Sequence, residues 1–212
     1  MDQETSDGVA IGAICFQDSP GCEPLTLGSY HELTDANQSE RPMIEAAILV
    51  IFPMLVAFGG ASDFLTMTIQ NRVSVLLIAG FAFVALGTGL PLSAWGVHVL
   101  GLLPVFAVCF GFFAAGWMGG GDVKFISAIA LWIGFTPELV QFTLLVALYG
   151  AVLTLALLSM RQMIAVPGAL SRQDWFVRLH DSKSGIPYGI AIAVAGLQIY
   201  PSTEWFGLLG RI

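Results

Sequence analysis

Two acidic residues stand where acids are costly. Asp63 and Asp122 each adjoin a long, otherwise uncharged apolar run, the second within Trp117-Met118-Gly119-Gly120-Gly121-Asp122-Val123-Lys124. Putting a carboxylate into hydrocarbon costs about 2.5–3.5 kcal/mol on insertion scales, so such residues are candidates for function. Two carboxylates that meet can share one proton. One then takes a proton from water while the other polarises a carbonyl, which is the chemistry of peptide hydrolysis by paired aspartates. Whether they meet depends on the elements that carry them.

Composition says what those elements are. The 212 residues are 56% hydrophobic and only 11% charged, with a mean hydropathy of +0.81, far from an ordinary soluble domain. Nine of the 15 acidic residues precede position 46, so the net charge of −7 belongs mostly to the N-terminal segment. No basic patch with interleaved aromatics occurs, which excludes a nucleic-acid partner. Residues 1–42 are polar and lack both sustained periodicity and the basic start of a secretory signal. They are expected to be a disordered tail, or the product of an early start codon with Met43 as the true beginning. Residues 43–212 form the membrane-embedded domain. Cys15 and Cys22 lie in the tail and suit a disulfide in an oxidising compartment, whereas Cys109 reads as an apolar packing residue.

Six apolar runs, about 43–62, 73–92, 96–117, 123–136, 139–159 and 186–205, predict an all-α polytopic membrane protein. The fourth is short: a helix from Asp122 to Phe135 rises only about 20 Å, so it is either a sunken span or a re-entrant segment. Asp63 ends the first run and Asp122 follows the third, with two full crossings between them. Both therefore lie on one face. The Lys and Arg count makes that face cytoplasmic. Inner loops hold Arg72, Lys124, Arg161, Arg172, Arg178 and Lys183, while outer segments hold Arg41 and Arg211, with both termini outside. The loop 160–185 suits an amphipathic helix on the inner surface. Small residues precede each aspartate (Ala57, Gly59, Gly60 and Ala61; Gly111, Ala114, Ala115 and Gly116) and favour close helix approach in lipid.

The glycines before Asp122 are poor in a helix, at about 1 kcal/mol each relative to Ala. They free the backbone to turn, let a substrate strand approach and leave the carboxylate unshielded. Lys124, two positions on, reads chiefly as a snorkelling interfacial lysine, and alternatively as a charge acting on Asp122 or on a substrate backbone. His98 and His180 fall on opposite faces and His31 in the tail. No HExxH, CxxC or phosphate-binding loop occurs, so neither a metal nor an organic cofactor is expected.

These motifs resemble those of a family. Gly119-Gly120-Gly121-Asp122-Val123-Lys124 resembles the GxGD-V-K motif of type IV prepilin peptidases. Ala61-Ser62-Asp63, followed by Thr68-Ile69-Gln70-Asn71-Arg72, is similar to the family's first aspartate box. Gly185-Ile186-Pro187-Tyr188-Gly189-Ile190-Ala191 is similar to its final-span segment. The resemblance spans about residues 45–205, and the family's proline is Gln70 here. It implies Asp63 and Asp122 as the catalytic pair, supported by Gly119, Gly121, Lys124 and Asn71. It also implies an active site at the cytoplasmic membrane edge of the bacterial inner membrane, and prepilin or pseudopilin precursors as substrates within the shared lipid. The chain lacks the cysteine-bearing methylation domain of bifunctional members, and so resembles the short form associated with tight-adherence (Flp) pili.

Two other readings stay open. A presenilin-like intramembrane protease shares the GxGD but needs a Pro-Ala-Leu motif, for which Pro167-Gly168-Ala169-Leu170 is a poor substitute. A small proton-coupled transporter would use the two aspartates as a relay, yet no inverted repeat is evident.

Overall fold

The computed structural model describes residues 27–163 and 185–209. The chain divides into two compact units, Met1–Glu40 and Arg41–Ile212, and the second holds both aspartates. Most of the loop 160–185, with His180, lies outside the described residues, as do Cys15 and Cys22.

Every described element is helical. The helices are α1 (Leu27–Thr66), α2 (Asn71–Gly87), α3 (Leu92–Ala114), α4 (Gly120–Ile133), α5 (Pro137–Met163), α6 (Tyr188–Ile199) and α7 (Glu204–Leu208). Helix α1 begins within the segment expected to be tail. Ser29–Arg41 contains neither Gly nor Pro, so nothing there breaks a helix. Among the described residues, three segments are by length and composition long and apolar enough to cross a membrane: Met43–Thr66, Leu92–Ala114 and Pro137–Gln162. Helix α2 is apolar but only 17 residues long, while α4 has 14 and α6 has 12.

Two predicted boundaries move, each for a local reason. The second and third runs meet at residues 88–91 rather than near 93–95. Gly89 takes a left-handed φ of 66°, and Pro91, extended at φ −65°, starts α3. The last run is not one helix. It breaks at Pro201 into α6, a single 3-10 turn over Tyr200–Ser202, and α7.

Helix α4 is the hub. Val123 and every residue from Phe125 to Ile133 are buried, and the helix packs against α2, α3, α5 and α6. A helix apolar on all sides belongs in a core rather than on a surface. At its C-terminal end the aromatic rings of Phe52, Phe81, Trp132, Tyr200 and Trp205 pack together, with Phe52 stacked on Tyr200 at 4.1 Å. Their polar atoms find backbone carbonyls. Trp132 Nε1 donates to Leu77 at 2.9 Å, Trp205 Nε1 to Trp132 at 2.7 Å, and the Tyr200 hydroxyl to Ile48 at 2.7 Å. Such rings supply apolar area and lose nothing to unpaired donors. His98 belongs to this end as well, its Nδ1 bonded to the Leu131 carbonyl at 2.8 Å.

Helix α3 lies very close to the α4–α5 turn at Gly101. A Cβ there would stand 2.5 Å from the Gly134 carbonyl carbon, whereas one at Gly111 would meet nothing within 4 Å. Gly101→Ala is therefore expected to cost about 1–3 kcal/mol through overpacking against backbone. Gly111→Ala should be neutral or slightly stabilising, because Ala is the better helix former. Thermal melts of the detergent-solubilised protein compare the two, and equal melting temperatures would contradict the close contact.

Candidate active site

Asp63 sits in the last turn of α1 and is 5% exposed. The helix reaches this point through two glycines. A Cβ at Gly59 would lie 2.6 Å from the Phe125 ring, and one at Gly60 2.6 Å from the Ala193 Cβ. Their absence lets α1 press against α4 and α6 at once. The carboxylate then meets the start of α6, where Asp63 Oδ2 accepts the backbone N–H of Gly189 at 2.7 Å. The first N–H groups of a helix have no partner within it, and their positive end favours an acid. Gly189 is also confined: a Cβ there would fall 2.7 Å from the Asp63 Cβ and 2.9 Å from Ile69 Cδ1. Beyond Asp63 the helix ends at Met67, whose N–H bonds back to the Asp63 carbonyl at 2.8 Å. With φ of 54°, Met67 is the single non-glycine residue at positive φ among the described residues, a conformation that costs about 1–2 kcal/mol.

Asp122 is held by different means. Helix α3 closes in a Schellman motif: the Trp117 N–H bonds to the Phe112 carbonyl and the Gly116 N–H to that of Phe113, both at 2.9 Å, with Gly116 at φ 76°. The turn expected of the glycine run is thus made by Gly116. Gly119 is the extended N-cap of α4, and Gly120 and Gly121 form its first helical positions. Asp122, third in the helix, sits where the acid of a capping box sits, with its carboxylate close to Gly119. Gly119 leaves room for it, since a Cβ would lie 3.1 Å from Asp122 Oδ2. At Gly121 a Cβ would come within 3.3 Å of the Ile69 carbonyl, so its absence admits the segment between α1 and α2.

Asp63 and Asp122 line one cleft of about 540 Å³, and each lies within electrostatic range of the other. Gly119 and Gly121 line it too. Lys124 and Asn71 do not. Instead Lys124 Nζ donates to Asn71 Oδ1 at 2.9 Å, tying the first turns of α4 and α2 together beside the cleft. The small residues before Asp122 differ from those before Asp63: Ala114, Ala115 and Gly116 are exposed and bring no helix close. Further wall comes from Met67, Ile69, Trp117, Met118 and Tyr188. The Tyr188 hydroxyl shares a 3.0 Å hydrogen bond with Thr154 on α5, and Arg161 donates to the Gly185 carbonyl at 2.8 Å. The sequence signal for this wall is Pro187-Tyr188-Gly189, a proline ahead of a helix whose second residue is glycine. Among the described residues no three His, Cys, Asp or Glu side chains are grouped to hold a metal ion.

Fold and cleft together define a helical membrane protein that brings two carboxylates from distant helices into one cavity. The type IV leader peptidase family matches the chain over residues 49–157, a stretch containing both aspartates, and the chain belongs to that family of proteases. No curated protein and no solved structure matches it.

Two substitutions probe this geometry. Gly189→Ala forces a methyl group into Asp63, and on the expectation that Asp63 reacts with substrate, displacing it by about 1 Å costs about a hundredfold in rate. Processing by this variant should fall by that order while its level in the membrane holds; wild-type activity would show that the Gly189 contact does not matter. Gln70 occupies the N-cap of α2 at φ −67°, a value that proline adopts without strain. Gln70→Pro is expected to retain activity and gain about 0.4–1 kcal/mol in stability. A lowered melting temperature would show that the Gln70 N–H or the preceding backbone opposes proline.

Proposed function

We propose that this chain is an aspartic endopeptidase that removes the N-terminal leader of type IV pilin or pseudopilin precursors, the Flp-like class included. The observation that carries the reading is the cleft shared by Asp63 and Asp122, which come from α1 and α4 and stand 59 positions apart in sequence. Family membership supports the leader-bearing substrate.

In the proposed reaction one carboxylate is ionised and the other protonated, because two acids this close do not readily share two charges. The ionised one takes a proton from water, and the water oxygen attacks the scissile carbonyl carbon. The protonated one donates a hydrogen bond to the carbonyl oxygen as negative charge develops there. Collapse of the tetrahedral intermediate breaks the C–N bond, and the first acid returns its proton to the leaving amine. The Gly189 N–H holds the Asp63 carboxylate in place while this happens.

The topology that goes with this reading counts α1 to α6 as six crossings of the bacterial inner membrane, the shorter helices included, with residues 1–42 as an N-terminal extension outside the peptidase domain. Both aspartates then sit at the cytoplasmic edge, on the side of Arg72, Lys124 and Arg161. The Lys and Arg distribution supports that orientation. A precursor inserted in the same bilayer reaches the cleft by lateral diffusion, with its orientation already restricted.

The isosteric changes Asp63→Asn and Asp122→Asn, made singly, should each lower processing by about a thousandfold or more, without loss of protein from the membrane. The measurement is a gel shift of a co-expressed leader-bearing pilin. Full processing by either variant would remove that residue from the mechanism.

A further inference from the structure

A second and larger cavity of about 1010 Å³ opens between α3 and α5. Val108 and Phe112 of α3 form one wall, Ala147 and Ala151 of α5 the other, and Ile126 of α4 and Ile192 of α6 the floor. We infer that this groove seats the apolar helix of the substrate, so that the peptide at that helix's end enters the aspartate cleft. The inference rests on the leader-peptidase reading above and says how that substrate is held.

Three features lead to this occupant. The groove adjoins the cleft, since Trp117, Met118 and Tyr188 line both. A helix lying in the first therefore has its end beside the carboxylates. The groove also has the dimensions of a membrane helix. From Leu139 to Leu155 along α5 it runs about 24 Å at 1.5 Å per residue, most of the roughly 30 Å thickness of the hydrocarbon core. Finally, the α5 wall is small: Ala147 and Ala151 are four positions apart on one face and exposed, the spacing at which small side chains let a second helix backbone come close.

Charge decides between a peptide and a lipid. A lipid lying in the groove with its head at the cleft would bring phosphate against two acids, whereas a peptide brings a neutral amide that the same acids can bind. A bare apolar channel would not discriminate; the acids at its end do.

The experiment places a photo-crosslinking residue at Ala147 or Ala151, and as control at Leu148, an exposed α5 residue outside the groove. Asp122→Asn is combined with each so that uncut precursor persists. Crosslinks to the precursor's apolar segment from Ala147 and Ala151, and not from Leu148, are the expected result. Crosslinks only to lipid, only to a second copy of this chain, or equally from Leu148 would overturn the proposal. In the otherwise wild-type chain, Ala151→Trp should lower kcat/KM for the inserted precursor by about tenfold or more, and Leu148→Trp should leave it unchanged. If Ala151→Trp fails to accumulate, the crosslinks alone decide. A wild-type chain that cuts no leader would instead defeat the peptidase reading, and the crosslinks would still report on the groove.

Discussion

The site depends on one close approach, that of α1 to α6. Gly60 lets the α1 backbone reach Ala193, and one helical turn later Gly189 lets the start of α6 reach Asp63. These two absent side chains bring a buried carboxylate to a free helix N–H. A buried acid without hydrogen-bond partners would be costly in this setting, and the helix end offsets that cost by supplying a donor it cannot use internally. The same contact fixes the azimuth of α1, and with it the direction in which the acid faces.

Helix α4 does the corresponding work for Asp122 by another route. Its length is set at both ends by glycine: Gly119 in extended conformation at the start, and Gly134 at φ 79° at the finish. Between them Val123 and every residue from Phe125 to Ile133 are buried, so Asp122 cannot shift along the axis without moving the core. The aromatic cluster at the opposite end anchors that helix through indole and phenol hydrogen bonds to backbone. The strained Met67 and the two crowded acids thus sit at one end of the assembly, and its densest aromatic packing sits at the other. Strain at a site persists when packing elsewhere over-determines the fold.

How much was legible in the sequence depends on the range over which each signal acts. An acid beside an apolar run is a local contrast, so Asp63 and Asp122 stood out at once, as did the helical class. Small residues before Asp63 were legible as an approach point, but the similar cluster before Asp122 has a different use: Ala114, Ala115 and Gly116 end a helix instead of packing one. Composition alone does not separate those uses, because both favour small side chains. Lys124 was readable as a charge near Asp122, yet its partner Asn71 is 53 positions away on another helix. Gly189 carried the weakest local signal, since its role is defined by a carboxylate 126 positions earlier. Helix boundaries were displaced where Gly89, Pro91 and Pro201 act within one turn, finer than a hydropathy window resolves. The count of spans suffers in the same way. Six apolar runs appear in the sequence, but only three of the resulting helices have the length and composition of a full crossing.

The short helices have a consequence for the bilayer. Helix α4 rises only about 21 Å over its 14 residues, less than the hydrocarbon thickness, yet it is sheathed by α2, α3, α5 and α6 rather than by lipid. A sheathed helix need not match the membrane, because its ends meet protein and turns instead of headgroups. That freedom lets α4, with Asp122 in its first turn, be shorter than a full-length span. The cleft then lies where α3 has already ended at Gly116, and the exposed Trp117 and the half-buried Met118 bridge the gap from the apolar groove to the acids. A shortened core helix is therefore the geometric reason that a polar cavity and an apolar channel share a wall.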